Sequence, residues 1–254
     1  MSITAILTGY NRPLSIHAVH AAVETQTIKP DDIWVWYNRG TKPQVECDNS
    51  KIVMCNHNFG FYSRFALALL AKTEYVALFD DDTVPGPRWF ENCIETMQTH
   101  EGILGTVGIR LTGKSYQNHF RFGWPRPLTE PIDVDLVGHA WFFRLDWLKY
   151  MWMDKPLTFE NGEDIHFAAQ AQIHGGIKCY VPPHPSDDLD CWGSIHGDLL
   201  GSDNAASWRK NTSRHISVRD AIVRDEITRG WKPLFMCGYN AQANEVPLAE
   251  PTTG

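Results

Sequence analysis

The sequence predicts an α/β protein built on a mostly parallel, twisted sheet with helices on both faces. Three observations carry that expectation. Strand-like and helix-like patterns alternate through the first half of the chain. Ile33-Trp34-Val35-Trp36-Tyr37 and Tyr75-Val76-Ala77-Leu78-Phe79 are unbroken apolar runs, as strands covered on both faces should be. The second run ends abruptly in Asp80-Asp81-Asp82, and open α/β sheets bind ligands beyond the carboxyl ends of their strands.

Ile3 to Leu7 reads as the first strand. Asn11 then suits an N-cap and Pro13 a first helical turn, with Leu14, Ala18, Ala21 and Ala22 at helical spacing. Asn38-Arg39-Gly40 ends the second strand, Lys51 to Cys55 forms a third, and a helix follows Gly60 through Leu70. After the acidic triplet, Pro85-Gly86-Pro87 turns into a helix with Trp89, Phe90, Cys93, Ile94 and Met97 on one side. Ile103 to Ile109 is a strand, residues 110–131 an irregular loop or hairpin, and Val134 to Arg144 a strand broken by Gly138. Glu163 to His174 is a helix stopped by Gly175-Gly176, Ile177 to Val181 a strand, and residues 183–206 a loop. The organisation expected is a nucleotide-sugar-binding and catalytic domain over 1–206, a basic helical segment over 207–235 and a weakly ordered tail over 236–254.

The net charge of −7 argues against nucleic-acid binding by the molecule as a whole. It is unevenly spread. Ser207 to Lys232 holds seven Lys/Arg against three Asp/Glu, a local +4 that leaves −11 elsewhere. The six cysteines show no Cys-x-x-Cys pair and read as reduced thiols. No basic leader precedes the first strand and no apolar run approaches a membrane span. A cytoplasmic protein is therefore expected, at most peripheral at a membrane and without an integral membrane segment.

Three constellations carry chemistry. Three adjacent carboxylates repel one another unless something positive sits close, and a divalent cation with hard oxygen ligands is the simplest partner. Mn²⁺ or Mg²⁺ held there could bridge a diphosphate and stabilise a departing nucleotide; a solvated acidic loop is the competing reading. Glu160-Asn161-Gly162-Glu163-Asp164 opens a helix, where the macrodipole favours negative charge and a carboxylate could serve as general base. Plain helix capping explains the same residues. Thr8-Gly9-Tyr10-Asn11-Arg12-Pro13 is a strand-to-helix turn able to hold a base or ribose, yet it is no dinucleotide fingerprint and no phosphate loop.

In this order the motifs resemble the GT-A (Rossmann-like) glycosyltransferases of the large family 2 type, over roughly residues 1–182. The resemblance implies that Thr8, Tyr10, Asn11, Arg12, Asn38, Asn58, Arg64, Asp80 and Asp81 line a nucleotide-sugar site, with Asn58-Phe59-Gly60 leading into Arg64. It assigns the metal to Asp80 and Asp82, places Gly138, His139 and Trp141 on the acceptor side, and makes Asp164 the base of inverting members, next to Glu163. A third metal ligand in such enzymes often comes from a C-terminal histidine, here His196 in preference to His184. Trp124, Trp141 and Trp192 offer faces for sugars or simply fill the core. Two departures matter. His166 stands where relatives often carry another Asp, and the Gln-x-x-Arg-Trp motif of processive synthases is absent.

The expectation is thus a metal-dependent inverting transfer from a nucleoside diphosphate sugar to an acceptor hydroxyl, the acceptor being a glycan, lipid-linked or another polymer. Nucleic acid is the less favoured acceptor. The basic residues Arg209, Lys210, Arg214, Arg219, Arg224 and Arg229 are expected to meet an anionic acceptor. The rivals are a nucleotidyltransferase that makes sugar nucleotides and a carbohydrate-binding protein without catalysis.

Overall fold

The computed structural model describes residues 1–10, 12, 15–38, 50–195, 200 and 212–238. Nine strands among them form one sheet: β1 Ile3–Gly9, β2 Asp32–Asn38, β3 Lys51–Cys55, β4 Tyr75–Asp80, β5 Gly102–Leu111, β6 His119–Gly123, β7 Ile132–Val134, β8 Leu136–Arg144 and β9 Lys178–Val181. Their order is β3-β2-β1-β4-β8-β5-β9-β7, with β6 pairing β5 beyond the end of β9. The helices are α1 Ser15–Glu24, α2 Ser63–Ala68, α3 Trp89–Thr99, α4 Glu163–Gly175 and α5 Thr212–Arg229.

The parallel expectation holds for half of the sheet. β3, β2, β1 and β4 run parallel, and β5 pairs β9 parallel. From β4 outward the pairing turns antiparallel, because β8 returns beside β4 and β5, while β6 folds back on β5 as a hairpin. That hairpin resolves the segment 110–131, whose glycines and prolines hid a short strand. Every residue of β5 and nearly all of β1, β2 and β4 are buried. Neighbouring side chains on a strand point to opposite faces, so both faces of the central sheet are covered. α1 and α2 lie on β1, α4 lies on β8 and β9, and α5 packs on α4.

The register brings the site together. Thr8 at the end of β1 pairs with Asp80 at the end of β4. The β4–β8 ladder ends at Phe79 with Ala140, so the next pair in register is Asp80 with His139. Along β5, Gly105 and Val107 are two residues apart, while their β8 partners Trp141 and Gly138 are three apart. The extra residue is a bulge in β8, the interruption expected at Gly138. His139 adopts φ 67° there, a left-handed conformation rare for a side chain of its size. The bulge turns the imidazole toward the acids at the end of β4.

Candidate active site

The acidic triplet already has resident counter-charges. Arg12 Nη1 donates to Asp81 Oδ1 at 2.8 Å and to Asp82 Oδ2 at 2.7 Å, and the Tyr10 backbone N–H donates to Asp81 Oδ2 at 2.9 Å. Arg64 Nη1 bonds Asp80, and its Nη2 reaches Glu163 at 3.5 Å. The Arg64 guanidinium is only 4% exposed and lies 4.9 Å above the Trp141 ring. Two arginines therefore do part of what the sequence reading asked of a metal. Burial still dominates at Asp81, raising its pKa to about 7 although Tyr10 and Arg12 pull the other way.

A metal-sized cluster remains. One ligand atom each from Asp80, Asp82 and His139 lie within 4.8 Å of one another. Burial, and after it the Arg121 guanidinium, lowers the His139 pKa, which favours the neutral imidazole that a metal requires. Two carboxylates and one imidazole suit a divalent cation of the Mn²⁺ kind. His196 and Asn11 lie outside the described residues, as do Arg209 and Lys210.

The residues expected to hold a nucleotide divide by what their polar atoms touch. Asn38 is buried and ties down the turn after β3: its amide donates to Asn58 Oδ1 at 3.0 Å, and its Oδ1 accepts the Phe59 N–H at 2.8 Å. Asn58 Oδ1 also accepts the Gly60 N–H at 2.8 Å, and Gly60, at φ 75°, makes the left-handed turn. These two asparagines shape the wall of the cleft. Thr8 Oγ1 is buried beside Asp80 with no hydrogen-bond partner among the described residues.

The opposite wall belongs to α4. Gly162, at φ 82°, caps it, and a side chain there would collide with Ile222 of α5. The first helical residues are Glu163 and Asp164, as the macrodipole favours. Glu163 points inward to Arg64; burial, and then the Asp164 charge, raises its pKa to about 7. Asp164 Oδ2 lies 2.5 Å from Arg219 Nη2, and Asp164 Oδ1 accepts the Ile165 N–H at 2.9 Å. A β-carbon at Gly138 would stand 4.0 Å from Asp164 Oδ2, so the glycine before His139 lies beside that carboxylate. Trp124, its ring centroid 5.9 Å from that of His139, edges this side, whereas Trp141 and Trp192 are buried.

Two placements lie beyond the sequence reading. His139, expected on the acceptor side, also stands with Asp80 and Asp82 in a group that could hold a metal. Arg219 was read as part of a basic face. A signal existed: Arg219 and Glu226 share a helical stripe with Ile222 and Val223, and a charge inside an apolar stripe needs a buried partner. Among the described residues, three arginines of the basic segment pair within the chain. Arg214 forks onto Glu160 at 2.8 and 2.6 Å, Arg229 pairs with Asp225 at 2.7 Å, and Arg219 holds Asp164.

The fold and this acidic cleft at the strand ends define an α/β transferase class whose ligand lies across the carboxyl edge of the sheet. The family model described as Glycosyl transferase family 2 matches residues 4–151, and the chain belongs to that family. No curated protein matches it. Among solved structures, residues 1–349 of TarS from S. aureus align with a TM-score of 0.52 at 16% identity, over 72% of this chain and 60% of that one. The same protein in complex with UDP aligns with a TM-score of 0.54 at 16% identity, over 72% and 58%. At that identity the likeness establishes the fold, and the chain spans well under two thirds of those structures. Among the described residues no helix is long and apolar enough to cross a membrane.

Proposed function

We propose that the protein transfers a sugar from a nucleoside diphosphate donor to an acceptor hydroxyl, with inversion, at a divalent metal held by Asp80, Asp82 and His139. The observation that carries this is the convergence of those three ligand atoms within 4.8 Å, beside Asp164 and inside a family 2 fold. A metal there supplies neutralisation of the diphosphate leaving group. Thr8, Tyr10 and Arg12 at the end of β1, with Asn38, Asn58 and Arg64, form the side that receives the nucleotide. The unpartnered Thr8 hydroxyl is available to a ligand oxygen. Arg12 draws Asp81 and Asp82 onto one nitrogen and Arg64 holds Asp80, so little reorganisation is needed when the donor arrives. Asp164, across the cleft, takes the proton from the acceptor hydroxyl as that oxygen attacks the anomeric carbon. UDP, found in the TarS complex, is the first nucleotide to test.

The test is a thermal-shift panel of UDP, GDP, CMP and dTDP with Mn²⁺ and with EDTA. A rise in Tm for one nucleotide that depends on Mn²⁺ is expected. Equal shifts in EDTA, or full transfer activity there, would remove the metal from the proposal. No shift with any nucleotide would favour a carbohydrate-binding protein.

A further inference from the structure

The helix α5 begins some sixty residues past the span that the family model matches, yet it reaches the candidate base. Its buried stripe is Arg219, Ile222, Val223 and Glu226. Glu226 fixes the helix to the middle of α4, accepting from Gln170 Nε2 at 2.8 Å and lying 2.6 Å from His166 Nδ1, with both partners fully buried. His166, the departure from the family pattern, is thus the anchor for this helix. Ile222 seats on Gly162 at the start of α4. Two residues earlier, Asp220 Oδ1 accepts from Ser115 Oγ at 2.9 Å and from the Tyr116 N–H at 2.5 Å. The turn before β6 is thereby tied to the same helix.

Arg219 stands at the centre of these contacts. Its side chain is 7% exposed, and its guanidinium carbon lies 4.1 Å above the Tyr116 ring. Nη2 donates to Asp164 Oδ2, while Nε is buried with no partner among the described residues. A buried guanidinium needs a compensating anion, and Asp164 is the one in hydrogen-bond contact. The reverse holds too. One Asp164 oxygen is fixed by the Ile165 N–H and the other by Arg219, which sets the plane of the carboxylate. Since only one guanidinium nitrogen contacts Oδ2, lone pairs remain for a hydroxyl proton.

We infer that Arg219 is a positioning residue for the transfer, aiming the Asp164 carboxylate at the acceptor, so that α5 completes the active site from outside the region shared with the family. This rests on the reading of Asp164 as the base. Among the described residues, the contacts of Arg219 are with Asp164 and Tyr116, away from the acids at the end of β4. Its removal therefore acts on turnover and not on donor affinity.

The experiment uses the full chain and the hydrolysis of a nucleotide sugar with water as acceptor. UDP-glucose, UDP-galactose and UDP-N-acetylglucosamine are supplied with Mn²⁺, and UDP binding is measured alongside. Arg219→Met, Arg219→Lys, Asp164→Asn and the double variant Arg219→Met/Asp164→Asn are compared. Arg219→Met is expected to lower kcat on the order of thirtyfold with the UDP Kd within about twofold, and Arg219→Lys to recover part of the loss. The double variant is expected to be no slower than Asp164→Asn alone, because Arg219 acts through Asp164. Should Arg219→Met fold poorly, Arg219→Lys carries the same comparison, since it keeps the charge and loses the planar guanidinium stacked on Tyr116. Losses that multiply in the double variant, or a kcat within twofold of the parent in both Arg219 variants, overturn the inference while leaving Asp164 as base. A fully active Asp164→Asn overturns the base assignment itself, and the inference with it.

Discussion

The two walls of the cleft keep their carboxylates in different ways. On the donor side, Asp80, Asp81 and Asp82 are countered by Arg12 and Arg64, both within the span matched to the family and both close to strand ends. On the base side, Asp164 is countered by Arg219, which lies 55 positions later on a helix docked over α4. Strand register brings the ends of β1 and β4 to one edge, and the first turn of α2 adds Arg64 to them. Helix packing sets the second, and packing requires Glu226, His166, Ile222 and Gly162 to agree. The donor wall should therefore tolerate a loosened α5, and the base wall should not.

The sharpest test of this contrast is Asp82, one of the acids proposed to hold the metal. Asp82→Asn keeps an acceptor for Arg12 and so should fold normally. It is expected to lose transfer on the order of a thousandfold, from the missing ligand charge. The measurement is kcat with Mn²⁺ beside thermal unfolding, and residual activity within tenfold of the parent would dismiss Asp82 as a ligand. Across the cleft, Asp164→Asn is expected to lose on the order of a hundredfold in turnover with UDP affinity nearly unchanged. Proton NMR of the product should show an inverted anomeric configuration, and retention would rule out the single-base mechanism.

The same contrast explains what could be read from the chain. The β1, β2 and β4 strands and their acidic terminus were legible because a strand buried on both faces leaves an unbroken apolar run. The start of α4 was legible because helix starts attract carboxylates and Gly162 marks it, while the choice of Asp164 as base comes from the resemblance. The antiparallel half was not, since β6 is five residues inside a segment rich in turn formers, and its pairing is a long-range fact. That Arg12 and Arg64, expected beside the nucleotide, also pair with the acids is not visible in the sequence. Charge type is visible in a sequence; which neighbour satisfies it is decided by register.

His139 joins the two walls, and its backbone separates ligand from scaffold. A non-glycine residue held at φ 67° costs on the order of 1 kcal/mol or more. His139→Gly should return that strain as a higher or equal Tm while weakening Mn²⁺ binding about tenfold. Titration calorimetry with MnCl₂ and thermal unfolding read the two effects independently. Unchanged Mn²⁺ affinity would return the third-ligand role to another residue. A drop in Tm would mean that the imidazole holds the bulge rather than serving the site.

The smallest expected effect concerns Glu163, which sits between the walls with Arg64 on one side and Asp164 on the other. Its pKa rises from 4.5 to about 7, chiefly because burial penalises the charge and then because Asp164 repels it; Arg64, at 3.5 Å, offsets only part. A carboxyl group with a raised folded-state pKa binds its proton more tightly in the native state. Its contribution to stability is complete below pH 4.5, declines as the pH climbs, and is gone above about pH 7. Glu163→Gln stays neutral throughout and keeps an oxygen for Arg64. In metal-free buffer the variant should match the parent near pH 4.5 and become progressively more stable than it by pH 7. The difference should be on the order of 1 kcal/mol or more, seen as a few degrees in Tm. Comparing the two proteins at each pH cancels the titration of groups that do not interact with Glu163. A flat difference across that range would show that Arg64 outweighs burial, and that Glu163 belongs to the donor wall as a standing ion pair.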